Sequence, residues 1–275
     1  MASSAAYLQA LFGLDGKTAV VVGGTGVLGG AIAEALGGAG AHVVVVGRTL
    51  KNDESGQSIV DRLKAAGGSA EFVAADSTKR EDISAIVAHL KANNRHCDVL
   101  VNGAGVNSAT PFFDITDEEF ERILNTNLRA VQIACQIFGK DMVERGTKGS
   151  IINIASLSGI IALSRVFTYS VTKAGVLNLT QNLAREFAQY GIRVNALSPG
   201  FFPAEQNRKI LSPDRVANIR RHTPTLRVQG DDPQSPFGTP DELAGAVLLL
   251  AASKAGSFIT GTNSVVDGGF TAMTI

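Results

Sequence analysis

The 275-residue chain has no tryptophan, two cysteines, four histidines and no net charge, its 25 Lys and Arg being balanced by 25 Asp and Glu. Each scarcity excludes something. Cys97 and Cys135 are too few for a disulfide framework or a Cys-rich zinc site, and no metal site is expected. The same thrift with cysteine fits a reducing compartment, so a cytoplasmic location is expected. Balanced charge leaves no bulk field to draw in nucleic acid or an anionic membrane surface. No apolar run reaches the roughly 18 residues that a membrane span needs. Residues 1–14 carry no Lys or Arg ahead of a short apolar stretch, so no secretory signal is expected there.

Apolar residues, by contrast, make up 45% of the chain, enough for a large core, and the 30 glycines predict many tight turns or close approaches of backbone to a ligand. Short Val-rich or apolar runs at 18–22, 41–46, 70–75, 97–102, 150–155, 193–197 and 263–266 read as buried strands. Helical patterns at 30–36, 58–66, 83–93, 120–145, 166–190 and 241–252 alternate with them. That alternation predicts one α/β domain over 1–275, a doubly wound parallel sheet of about seven strands with helices on both faces and right-handed crossovers. One stretch breaks the rhythm. Residues 201–238 hold five of the eight prolines and a short helical piece near 205–220, and a loop this long reads as a substrate lid or, failing that, as a surface excursion.

Gly24-x-Gly26-x-x-Gly29 follows the first strand and opens a helix, the context in which backbone amides and a helix N-terminus cradle a dinucleotide pyrophosphate. At the end of the second strand an Asp or Glu would bind the ribose 2′-hydroxyl of NAD, whereas an Arg suits the 2′-phosphate of NADP. Here Gly47-Arg48-Thr49 stands in that place, which favours NADP and leaves NAD open. Tyr169-x-x-x-Lys173 puts a phenol and an ammonium one helical turn apart. The ammonium is expected to favour the phenolate and so make Tyr169 a usable acid or base. Ser156 lies just after a strand, and Asn102 and Pro199-Gly200 also fall at the carboxyl ends of strands, where ligands bind in open parallel sheets.

With the glycine loop, these motifs stand in one order: Asp76, Asn102-Gly103-Ala104-Gly105, Asn127-Leu128, Ser156, Tyr169-x-x-x-Lys173, Pro199-Gly200 and Val266-Asp267-Gly268-Gly269. As a set they resemble the single-domain short-chain dehydrogenases/reductases over nearly the whole chain. The resemblance implies a Rossmann fold and hydride transfer to or from a nicotinamide. Tyr169 would move the proton, Ser156 would hydrogen-bond the substrate oxygen, Lys173 would hold the nicotinamide ribose and Asn127 would hold a relay water. It places Gly23, Thr25, Gly26, Val27, Leu28, Gly29, Arg48, Asp76, Ser77, Asn102, Gly103, Ala104, Tyr169, Lys173, Pro199, Gly200 and Phe202 against the cofactor. It also implies a homotetramer built on the helices at 120–145 and 166–190. Three positions depart from the family pattern: Val27 for a glycine, Gly103 for an asparagine and Ala204 for a cofactor-contacting threonine.

Within the family, residues 138–145, Ser164-Arg165, 200–208 and His222-Thr223-Pro224 resemble D-mannonate oxidoreductases (fructuronate reductases), relative to which 228–237 looks inserted. An anionic sugar acid would then meet Arg165 or Arg208 at its carboxylate and Gln206, Asn207 and His222 at its hydroxyls. The alternative is a lid whose arginines pair with surface acids. A 3-oxoacyl thioester or keto-gluconate reductase, and a nucleotide-binding regulator without turnover, are the competing functions.

Overall fold

The structure is a computed structural model that describes residues 3–53, 55–202, 211–225 and 235–273. Seven strands, all parallel, form one sheet in the order β3-β2-β1-β4-β5-β6-β7: β1 (Thr18–Val22), β2 (His42–Gly47), β3 (Ser69–Ala74), β4 (Val99–Asn102), β5 (Ser150–Ile154), β6 (Arg193–Pro199) and β7 (Asn263–Val266). The sequence of β1 is TAVVV and that of β2 HVVVVG. Such runs suit strands buried on both faces, where a β-branched residue serves either side.

Alternate residues of each strand feed opposite cores. Val20, Val22, Val44 and Val46 pack with α4 (Arg80–Ala92), α6 (Ala130–Arg145) and α7 (Phe167–Phe187). Ala19, Val21, Val43 and Val45 pack with α2 (Val27–Gly38), α3 (Ile59–Ala65) and α9 (Ala244–Ala251). The chain runs outward from β1 through β2 to β3, then returns to β4 on the other flank of β1. The loops after β1 and β4 therefore diverge, and they leave a crevice at the carboxyl ends of the central strands.

Several helix boundaries differ from the sequence expectation. Helix α1 (Ser4–Phe12) was not anticipated. Its segment SAAYLQALF is apolar nearly all round, so no stripe marks one face, and none of its residues is buried. Helix α2 starts three residues early, at Val27, because Gly26 takes the N-cap. The expected single helix over 120–145 is α5 (Asp117–Leu124), a π-helical turn (Asn125–Arg129) and then α6. The helical piece near 205–220 is observed as α8 (Pro213–His222), with Ser212 as N-cap and Pro213 in its first turn, while 203–210 lie outside the described residues. Residues 240–251 begin as a 3₁₀ turn, Pro240–Leu243, before α9.

Candidate active site

The crevice is a cleft of about 1490 Å³ running from the β1–α2 loop to the start of α8. At its nucleotide end, Gly23 has φ +83°, and a Cβ there would lie 2.5 Å from the Ala104 nitrogen. Only glycine lets the loop after β1 cross the loop after β4. Helix α2 then opens on Gly26, which offers no side-chain cap, so its first-turn amides are left for a ligand. At the end of β2, a Cβ on Gly47 would sit 2.6 Å from the Thr25 hydroxyl, so no acidic side chain fits that position. The next residue, Arg48, is exposed and lines the cleft. Opposite it, Asp76 accepts hydrogen bonds from the Thr78 amide (3.0 Å) and hydroxyl (2.7 Å). These bonds, with Arg48 and Lys79 nearby, hold its carboxyl below the usual range. A floor of backbone amides, a cation at the end of β2 and a fixed carboxylate fit an NADP-type dinucleotide.

The proposed chemistry lies at the far side of β5. Ser156 caps the 3₁₀ turn Leu157–Gly159, and its hydroxyl accepts from the Ser158 amide and hydroxyl, both at 3.2 Å. Tyr169 and Lys173 stand one turn apart on α7 and line the cleft with Ser156. Lys173 is buried; its Nζ donates to the Ile154 carbonyl at 2.7 Å and lies 5.4 Å from the Tyr169 ring centroid. Burial lowers this ammonium to about 8. The expected lowering of the phenol by Lys173 is not what the structure has. Burial pushes the Tyr169 hydroxyl up, and only its hydrogen bond with Ser156 opposes this. The reason is geometric: the ammonium sits over the ring and is tied to a backbone carbonyl. Tyr169 therefore stays a neutral phenol at neutral pH, which is the form that donates a proton.

Two expected site residues stand behind the cleft wall and do not line it. Asn127, on the π turn, accepts from the Val106 amide (2.8 Å) and donates to the Val106 carbonyl (2.8 Å) and Thr172 Oγ1 (3.3 Å). Its side chain clamps the loop after β4 to α7, so a water would have to be held by its main chain. Asn102 donates to Asn153 Oδ1 at 2.9 Å and, at 3.4 Å, to the Cys135 sulfur, which ties β4 to β5 inside the core. The other expected cofactor residues all border the cleft: Gly23, Thr25, Gly26, Val27, Leu28, Gly29, Ser77, Gly103, Ala104, Pro199, Gly200 and Phe202.

The substrate end is rearranged from expectation. Gln206, Asn207 and Arg208 lie outside the described residues. His222 is exposed, bonds its Nδ1 to the Asn218 carbonyl at 2.8 Å and leans on Phe270, away from the cleft. Arg165 is also exposed and outside the cleft lining, in a left-handed conformation with φ 62°, which costs a non-glycine residue about 1–2 kcal/mol. The cleft instead receives Arg215, from α8, among Leu163, Val166, Leu211 and Phe237. Sequence reasoning missed Arg215 and Ser158. A signal existed for Arg215, since Ser212-Pro213 marks a helix start and fixes which residue follows three positions on.

Comparison with known proteins agrees with this geometry. Residues 25–271 match a family model described as enoyl-(acyl carrier protein) reductase, of the short-chain alcohol dehydrogenase group. The chain is 36% identical over 275 residues to the uncharacterized oxidoreductase UxuB of Bacillus subtilis (strain 168), covering 94% of this chain and 96% of that one. It is 35% identical over 266 residues to the 2-dehydro-3-deoxy-D-gluconate 5-dehydrogenase of the same organism, covering 96% and 98%. A gluconate 5-dehydrogenase from Burkholderia cenocepacia J2315, solved in complex with NADP and tartrate, superposes with a TM-score of 0.86 at 30% identity over 97% of this chain and 99% of that one. The chain belongs to the short-chain dehydrogenase/reductase family of oxidoreductases.

Proposed function

We propose that the chain interconverts a secondary alcohol and a ketone on an anionic sugar acid, using NADP in preference to NAD. The observation that carries this reading is the meeting of Ser156, Tyr169 and Lys173 in one cleft with the glycine loop and Arg48. A bound nicotinamide dinucleotide supplies or accepts the hydride. The chain does the rest. The β1–α2 loop and the first turn of α2 hold the phosphates, and Arg48 meets the 2′-phosphate. Lys173, cationic below about pH 8, holds the ribose hydroxyls. Ser156 donates to the substrate oxygen, and Tyr169 gives that oxygen its proton as negative charge develops there.

The substrate class rests on the relatives named for gluconate-type acids and on a cationic group at the far end of the cleft. The finer D-mannonate/fructuronate reading rests on sequence similarity alone, part of it in residues 203–210. Two further parts of the proposal are a lid built from residues 201–238 and a homo-oligomer, taken to be a tetramer, formed on the α5–α6 and α7 faces. Phe113 (96% exposed) and Val171 (58% exposed) stand on those elements or beside them. Among the described residues no helix is long and apolar enough to cross a membrane, and a cytoplasmic location belongs to the same proposal. Initial rates of NADPH and NADH oxidation with 5-keto-D-gluconate, D-fructuronate, D-fructose and a 3-oxoacyl thioester test it. NADPH with a keto acid is expected to give the highest kcat/KM. A preference for the thioester or for the neutral ketone would overturn the sugar-acid class, and no oxidation with any carbonyl would overturn the catalytic reading.

A further inference from the structure

The acidic side chains that border the cleft are at its nucleotide end, and each is engaged. Glu34 and Asp53 both pair with Arg62, and Asp76 binds Thr78. The substrate end holds the opposite imbalance. Arg215 enters it from α8 and makes no ion pair among the described residues. Its backbone is fixed, because its amide donates to the Ser212 cap at 3.4 Å and the same helix buries Ile219. Its side chain is aimed as well. Nη1 donates to the Ser164 carbonyl (3.1 Å) and hydroxyl (3.3 Å), in the turn that leads into the Tyr169 helix. Among the described residues Nε and Nη2 have no acceptor, and they are two of the donors with which a guanidinium grips a carboxylate. Burial, and after it the charge of Arg165 next to Ser164, lower the Arg215 guanidinium from its ordinary value.

We propose that Arg215, held by the Ser164 acceptors in the cleft that Ser156 and Tyr169 also line, is the residue that recognises the substrate carboxylate. The inference rests on the sugar-acid reading and gives that reading a residue. Leu163 and Val166, which flank Ser164 and Arg165 in the chain, line the same cleft as Arg215 and supply no charged group that could replace it.

The test compares wild type, Arg215→Ala, Arg215→Gln and Arg215→Lys on 5-keto-D-gluconate and on the neutral ketone D-fructose, with NADPH affinity followed by fluorescence. Loss of a charged hydrogen-bonding pair predicts that Arg215→Ala lowers the ratio of kcat/KM for the keto acid over the neutral ketone about 10- to 100-fold, mainly through KM. Arg215→Lys should recover part of that ratio, because it keeps the charge and loses the fork. Arg215→Gln keeps the side-chain bulk and serves if the alanine variant fails to fold. Equal losses on both substrates, or a ratio that does not move, would overturn the role of Arg215 and leave the sugar-acid reading standing. A wild type that prefers the neutral ketone would overturn both.

Discussion

Lys173 shows how one buried group trades stability for function. Its ammonium titrates at about 8 in the folded chain against an ordinary 10.5. Between those two values the unfolded chain binds more protons, so this group makes stability rise with pH there, and its penalty is fully present below about pH 8. The shift corresponds to about 3 kcal/mol, and removing the group leaves the Ile154 carbonyl without this donor, which costs about 1 kcal/mol. Lys173→Met should therefore stabilise the cofactor-free protein by about 2 kcal/mol at pH 7 while abolishing turnover. The gain should fade towards pH 10 in urea unfolding followed at both pH values. A variant less stable than wild type at pH 7 would contradict the assignment. At this scale the sequence was informative about identity and misleading about direction. Tyr-x-x-x-Lys spacing is written in the letters, but the Ile154 carbonyl that takes the ammonium belongs to the backbone, and so the expected acidic phenol is instead a raised one.

At the scale of elements, the π turn at Asn125–Arg129 decides where Asn127 points. A single widened turn, of a kind that recurs at functional sites, joins α5 to α6 and turns a buried amide onto Val106. Asn127→Leu would leave both Val106 backbone groups without partners, at a cost of roughly 2–5 kcal/mol. Chemical denaturation should show that loss, and NADPH affinity should fall with it because the displaced loop includes Gly103 and Ala104. A fully stable variant would mean that Asn127 holds nothing in place. The turn was not legible: one extra residue shifts the helical phase by about 100°, but Leu124, Leu128 and Val131 keep apolar residues four and three apart straight through it. Helix α8 was legible in part. Ser212-Pro213 announces its start, but the proline-rich setting read as irregular, and Arg215 was lost with it.

At the scale of the whole molecule, the valine runs and the strand–helix alternation carried the architecture, because a sheet buried on both faces writes itself as unbroken apolar segments. Reversal of strand order at β1 and β4 then collects every cleft-lining loop at one edge. The cleft as a single body has a thermodynamic signature. A ligand present at about a hundred times its Kd should stabilise the fold by about 2.7 kcal/mol. NADPH should thus raise Tm by several degrees, and NADH at equal concentration should raise it less. In Arg48→Ala the two should become alike, as measured by calorimetry. An unchanged NADPH preference in that variant would remove Arg48 from the cofactor site.

The central claim is that a neutral phenol in this cleft delivers the proton to the substrate oxygen. It is tested most directly by comparing wild type with Tyr169→Phe, measuring NADPH oxidation with 5-keto-D-gluconate and NADPH affinity by fluorescence on the same preparations. Loss of a positioned acid predicts a fall in kcat of about a hundred- to ten-thousand-fold, with NADPH affinity kept within about twofold of wild type. A phenylalanine variant that turned over at the wild-type rate would contradict the account.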